Sequence, residues 1–203
     1  MANYHDIRYN FAIPSGSGSG AMELIKTTTI SSDANVDFVN GSSDVVLDST
    51  YRTYVFKLIN IHPSSQGDIL KVNFSDDTSS HSYDLTKTNT LFNVQHDEAD
   101  SYGEIAYAAN DDLAQSTSDM PLSPGSTHTN NDDNLNGFLH LFNPSSTTFV
   151  KHFIATVSHS ASAAQNQCFV AGYCNTTAAV TAVRFKFASG NIDAGTITLY
   201  GIN

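Results

Sequence analysis

Residues 53–61 read Thr-Tyr-Val-Phe-Lys-Leu-Ile-Asn-Ile (TYVFKLINI), and the alternation in this stretch decides the fold class. Tyr54, Phe56 and Leu58 fall on one face of an extended chain, and Val55, Lys57 and Ile59 fall on the other. This follows because successive side chains of a strand point to opposite sides. The stretch is rich in β-branched and aromatic residues, which fit a pleated surface. His62-Pro63-Ser64-Ser65 follows, and the proline stops the strand by removing a ladder donor.

The same signal recurs on both sides. Glu23–Ile30 is β-rich, Val36–Val39 is short and alternating, and Ile69–Phe74 sends Leu70, Val72 and Phe74 one way. Further strands are expected at Gly137–Phe142, Phe149–Val157, Gln167–Tyr173, Ala179–Phe187 and Thr196–Tyr200. In the penultimate one, Val183, Phe185 and Phe187 face a core while Arg184 and Lys186 face water. The helical candidate is one turn or a short helix around Glu98–Leu113, where Tyr102, Ile105, Ala106 and Ala109 have suitable spacing. Nine or ten short strands without long alternating helices imply antiparallel sheets. No repeat at a fixed period points to a propeller or β-helix. The expected fold is therefore all-β: an antiparallel, jelly-roll-like β-sandwich that buries two apolar faces against each other. Residues 121–136 (PLSPGSTHTNNDDNLN) form a long polar loop, of a length that often serves binding or assembly.

The first 22 residues differ in character from the rest. Tyr4, Ile7, Tyr9, Phe11 and Ile13 are apolar or aromatic, and Pro14 and the run Ser15–Ala21 (SGSGSGA) follow. Such a Gly/Ser run is a linker by composition. A sticky peptide on a tether is expected to dock on a partner, for example by adding an extended strand. The chain thus divides into an extended N-terminal docking arm and linker, residues 1–22, and a head domain, residues 23–203. The start carries Asp6 and Arg8 but no apolar core segment, so a signal peptide is not expected.

Composition narrows the partners. The 203-residue chain has 20 acidic and 9 basic side chains, a net charge of −11, and a pI near 4.8. Nucleic-acid binding needs clustered Lys and Arg, so no nucleic-acid partner is expected. Docking on an anionic membrane is excluded on the same ground. No apolar run reaches the ~18 residues a bilayer span needs, so no membrane insertion is expected. Only 14% of residues are charged, while Ser, Thr and Asn number 25, 20 and 18. The polar surface is therefore built from hydroxyls and amides. Cys168 and Cys174 are six apart in a strand-like stretch. That spacing sets them on one face roughly 20 Å apart, so two buried free thiols are expected. A bridge would need a turn between them, at Gly172.

Motifs for chemistry are sparse. Asp132-x-Asn134-x-Asn136-Gly137 matches the first half of a calcium loop, but the twelfth position is Asn143 rather than a bidentate Glu. An Asn/Asp turn is the expected reading, with calcium at Asp132, Asn134 and Asn136 the one cofactor the pattern admits. Eight histidines, including His140 and His152 on separate strands, form no H-x-H or H-x-x-x-H pair. No G-x-S-x-G elbow or phosphate-binding loop occurs. Acidic pairs such as Asp76-Asp77, Asp97-Glu98 and Asp111-Asp112 are expected on solvated turns rather than in a glycosidase site. An enzyme is not expected. Trp is absent, and Tyr51, Tyr54, Tyr83, Tyr102 and Tyr107 are the rings available as sugar platforms.

Three blocks carry a resemblance: Ser49–Ser64 (STYRTYVFKLINIHPS), Gly137–Val157 (GFLHLFNPSSTTFVKHFIATV) and Val183–Ile202 (VRFKFASGNIDAGTITLYGI). Together they resemble small structural proteins of tailed-bacteriophage virions, of the marine and cyanobacterial phage type, over residues 23–203. The resemblance implies a virion component, synthesised in the host cytoplasm and displayed on the capsid or tail exterior, with a β-sandwich domain. It implies no reaction and no catalytic residues. Its expected partners are other virion proteins, in a homotrimer, with the arm as the connector. A receptor-binding adhesin for a host surface glycan is the alternative, and a depolymerase ranks third.

Overall fold

The stretch Thr53–Pro63 forms one strand, β3, in the interior of the larger of two antiparallel sheets. A computed structural model describes residues 22–125 and 127–203. Tyr54, Phe56 and Leu58 are buried as the alternation requires. Asn60, at φ 52°, breaks the alternation. The register slips between Leu58 and Ile61, and Ile61 thereby turns back into the core.

Thirteen strands follow one another among the described residues. β1 is Glu23–Asp33, β2 Val36–Val39, β4 Leu70–Ser75, β5 Lys87–Asp97, β6 Gly103–Tyr107 and β7 Leu113–Ser116. β8 is Met120–Pro121, β9 Leu135–Phe142, β10 Lys151–Ala161, β11 Ala164–Cys174, β12 Ala182–Phe187 and β13 Ile192–Ile202. The larger sheet has the order β1-β13-β3-β9-β10-β11-β5-β6, with β7 also on β5; the smaller is β2-β12-β4-β8.

Eight of these strands make the jelly roll. β1 pairs with β13, β2 with β12, β3 with β9 and β4 with β8, so early strands are matched with late ones in nested order. The chain alternates between sheets as it passes from β1 to β4, so the paired ribbon wraps around one interior. The other five strands are excursions. β5–β7 leave between β4 and β8, β10–β11 leave between β9 and β12, and all five extend the larger sheet beyond β9. Aromatic rings knit the layers together. Phe38 of β2 meets Phe56 of β3 edge-on at 5.2 Å, and Phe185 of β12 lies 5.4 Å from Phe56.

Two expectations are corrected. No helical turn forms around Glu98–Leu113: Gly103–Tyr107 and Leu113–Ser116 are strands on β5. Ile105 and Tyr107 satisfy a period of two there, and Asn110, Asp111 and Asp112 make the turn. The strand count is thirteen, not nine or ten, because β5 to β8 do not stand out in the sequence. β5 hides itself: its inward side carries Lys87, Asn89 and Asn93 with Leu91, while Phe92 and Val94 face outward. Its apolar pattern is thus inverted relative to its packing. The polar loop is largely as expected, running from the end of β8 to Leu135 with one bridge between Thr127 and Asp68.

Candidate functional site

The arm positions Tyr4, Ile7, Tyr9, Phe11 and Ile13 lie outside the described residues. Within them, three features stand out: a polar cavity, a buried lysine–cysteine row, and the outer face of the extended sheet.

The cavity lies where the 122–134 loop meets the tip of the β10–β11 hairpin. It encloses about 270 Å³ and is lined by Asn93, Gln95, His128, His159, Ser162 and Asn166, with Gly125 at its wall. Strand pairing places these groups: His159 of β10 sits opposite Asn166 of β11, and Asn93 of β5 sits opposite Cys168. His159 is 1% exposed, and neither ring nitrogen has a hydrogen-bond partner among the described residues. Burial holds its imidazole down at about 4. Gly125 packs closely beside it, so that a Cβ there would stand 3.3 Å from His159 Cε1. His128 Nδ1 lies 2.7 Å from the Ser162 hydroxyl and 3.8 Å from the buried Asp133 carboxylate. The walls offer amides, hydroxyl and imidazole, the groups that pair with hydroxyls of a neutral polar ligand. Sequence spacing does not bring His128 and His159 together; only the hairpin and loop do.

The second feature is a row across three strands, Lys151–Cys174–Lys87, all facing inward. Each ammonium is satisfied by carbonyls: Lys87 donates to Leu85 O at 2.9 Å, and Lys151 donates to Phe149 O at 2.9 Å and Thr176 O at 3.2 Å. Burial drives Lys87 down to about 8 and lowers Lys151. Burial pushes Cys174 up to about 12, against the pull of the two lysines, and does the same to Cys168. Both cysteines are free and buried, as expected, because β11 runs straight through Gly172. A thiol held so high is no nucleophile.

The third feature is the outer face of β9, β10, β11, β5 and β6. A continuous ladder crosses it: Phe138, Thr156, Phe169, Phe92 and Tyr107 are successive register partners. Phe92 and Phe169 stack at 4.9 Å with planes 15° apart. A shallow apolar dip of about 130 Å³ lies between this stack and Ile154. His140 and His152 also face outward here, on neighbouring strands but on separate rows.

The remaining sequence candidates serve local structure. Asn136 Oδ1 accepts from the Asn60 amide at 2.8 Å, and Asn136 Nδ2 donates to Asn134 Oδ1 at 2.6 Å. Asp132 is exposed, and its backbone carbonyl accepts from Ser160 Oγ. Asp132, Asn134 and Asn136 thus tie the turn to β3 and β10, and among the described residues no group of three or more His, Cys, Asp or Glu side chains is placed to hold a metal ion. Asp97 accepts from Ser101 and from the Tyr102 amide, and Asp77 accepts from Ser82 and Ser75, so both acids close turns. Among the tyrosines, Tyr54 is core, Tyr51 lies over Gly201, and Tyr83 lies under Arg184, 3.9 Å from the ring centre. Tyr102 and Tyr107 are exposed. The chain matches no protein-family model and no curated protein sequence.

Proposed function

We propose that this chain is a non-enzymatic structural protein of a tailed-bacteriophage virion. In this reading a jelly-roll head is displayed on the capsid or tail exterior as a homotrimer. Residues 4–13 anchor it to a neighbouring virion protein. One observation carries the reading. The three blocks that carry the resemblance, spread over some 150 residues of sequence, supply β13, β3, β9 and β10, a contiguous run in the larger sheet, together with β12 of the smaller one. They are the scaffold on which the rest is hung, so the resemblance concerns the architecture rather than a local motif. A hydroxyl- and amide-rich surface of net charge −11 suits many crowded copies that must stay soluble. Deleting residues 1–13 tests it. The truncated chain is expected to fold, by circular dichroism, and to be lost from assembled particles. Particles that still incorporate it would overturn the anchoring role.

The second reading is a receptor-binding adhesin for a host surface glycan. The cavity around His159 favours it, because its amide and imidazole walls match sugar hydroxyls better than a charged or apolar ligand. A glycan array probed with the full chain tests this. Binding that disappears in Asn166→Ala supports the adhesin, and no binding at any glycan counts against it. The two roles are compatible, since repeated display multiplies a weak individual contact.

A further inference from the structure

We propose that the outer face of β9, β10, β11, β5 and β6 is the surface through which copies of this chain pack against one another. The proposal deepens the oligomeric part of the reading above by naming its contact surface, and is independent of attachment to a virion.

Charge is the first reason. The chain carries −11, yet no outward-facing residue on these five strands is Asp, Glu, Lys or Arg. Charged groups begin only at the margins, with Lys57 beside Phe138 and Asp112 accepting from the Tyr107 hydroxyl at 2.5 Å. The opposite outer face, on the smaller sheet, is ordinary by contrast. It carries Arg184 in a two-pronged pair with Asp37 at 2.7 Å, and Lys186 at 3.7 Å from Asp119. Two acidic bodies repel wherever carboxylates face each other. A second copy can therefore approach closely where this chain presents none.

The second reason is apolar exposure. Six of the ten large hydrophobic side chains exposed among the described residues stand on this face. They are Phe92, Val94, Ile105, Tyr107, Phe138 and Ile154, from 37% exposed at Val94 to 75% at Ile105. Five strands at ~4.8 Å and about seven residues at ~3.3 Å give roughly 24 by 23 Å in projection. Side-chain relief raises that toward the ~800 Å² per partner of an ordinary stable interface. Charge depletion with aromatic enrichment is also what distinguishes the centre of an interface from open surface. The stacked pair Phe92–Phe169, beside the dip at Ile154, supplies both a knob and a hollow.

The third reason is how the face arises. Four of its five strands, β10, β11, β5 and β6, are added to the jelly roll, and β5 turns its phenyl and valine outward while burying lysine and asparagine. Among the described residues the apolar groups there meet one another across the strands and otherwise stand exposed.

Light scattering on the full chain reads the outcome. The wild type is expected at a multiple of 21.9 kDa. Phe92→Glu and Ile154→Glu, each introducing a carboxylate on the face, are expected to shift the mass to that of one chain, with association weakened tenfold or more. Leu24→Glu, equally exposed but on β1 at the other edge of the sheet, is expected to assemble as the wild type does. Circular dichroism melting identifies which variants are folded, and Ile154, which is not part of the phenyl stack, provides the second substitution should Phe92→Glu unfold. A wild type that runs as a single chain overturns the proposal. So do folded Phe92→Glu and Ile154→Glu chains that assemble unchanged; that result leaves an oligomer standing and removes only this surface from it. A full chain that is monomeric while one lacking residues 1–21 associates would show instead that the chain's own arm covers the face.

Discussion

Phe153 of β10 and Phe74 of β4 stack across the interior, ring centroids 5.4 Å apart and planes 21° from parallel. This contact fastens the added strands of the larger sheet onto the smaller one. Phe153 in turn rests against Gly172 of β11, where an added Cβ would stand 2.7 Å from Phe153 Cζ and 2.4 Å from the Thr88 carbonyl. Phe153→Ala is expected to cost about 3–5 kcal/mol, the usual range for emptying a buried phenyl site. Gly172→Ala is expected to cost about 1–3 kcal/mol through overpacking. The double substitution should cost less than the sum, since removing the ring relieves part of the clash. Denaturant titration of the four chains measures this.

Lys87 gives a prediction with a definite direction in pH. Its folded-state value, about 8, lies below the ordinary 10.5. The unfolded chain therefore holds more protons between those limits, and this residue makes stability rise with pH from about 8 to 10.5. Below 8 its penalty is fully present. Lys87→Met is expected to be more stable than the wild type at pH 7, by about 1–2 kcal/mol after the Leu85 carbonyl loses its donor. The gap should close as pH climbs toward 10.5. Urea midpoints of both chains across that range check it, and a gap independent of pH would contradict the assignment.

His159 acts at the acid end. Its folded value of about 4 lies below the ordinary 6.5, so the unfolded chain takes up the proton first. Stability from this group is complete above 6.5 and is lost as pH falls toward 4, by up to about 3 kcal/mol. His159→Gln is expected to flatten that part of the stability curve. Thermal unfolding between pH 7 and 4 compares the two.

The β10–β11 hairpin turns on Ser162 and Ala163, at φ 48° and 63°. With Ala161 opposite Ala164, this is a two-residue turn in the left-handed region, where glycine and asparagine are usual. Ala163→Gly is expected to stabilise the chain by about 1 kcal/mol, because the left-handed conformation costs an alanine roughly that amount. Ser162 is less free to change, since its hydroxyl sits 2.7 Å from His128 Nδ1. A rise in melting temperature of Ala163→Gly, with the wild-type denaturant slope retained, is the measurement.

Strands that bury apolar groups on one side and show polar groups on the other are legible in the sequence. β12 is of this kind, with Val183, Phe185 and Phe187 buried, and β4 likewise buries Leu70, Val72 and Phe74 where alternation places them. Alternation reports local facing but not which strand lies beside which. The nested pairing of β1 with β13, across some 170 residues, therefore emerges only in three dimensions. β5 is illegible for a different reason, because interior Lys87 donates to the Leu85 carbonyl and Asn89 Oδ1 accepts from the Leu113 amide, contacts that no periodicity encodes. The candidate site shares that cause. Gln95 and Asn93 read as surface amides, and only the strand order brings them to His159. The short β6 also pairs at a distance of few residues, so its Ile105 and Ala106 imitate a helical period.

The position of β13 also governs how the molecule can be made. Among the described residues β1 pairs in the larger sheet with β13 alone, and β3 reaches it only through β13. During synthesis this pairing therefore waits until residues 192–202 have emerged from the ribosome. Closure of the jelly roll is therefore a late event in folding, and pairing of such long range is slow. Throughout that interval the nascent chain offers an open strand edge to its neighbours on the same messenger.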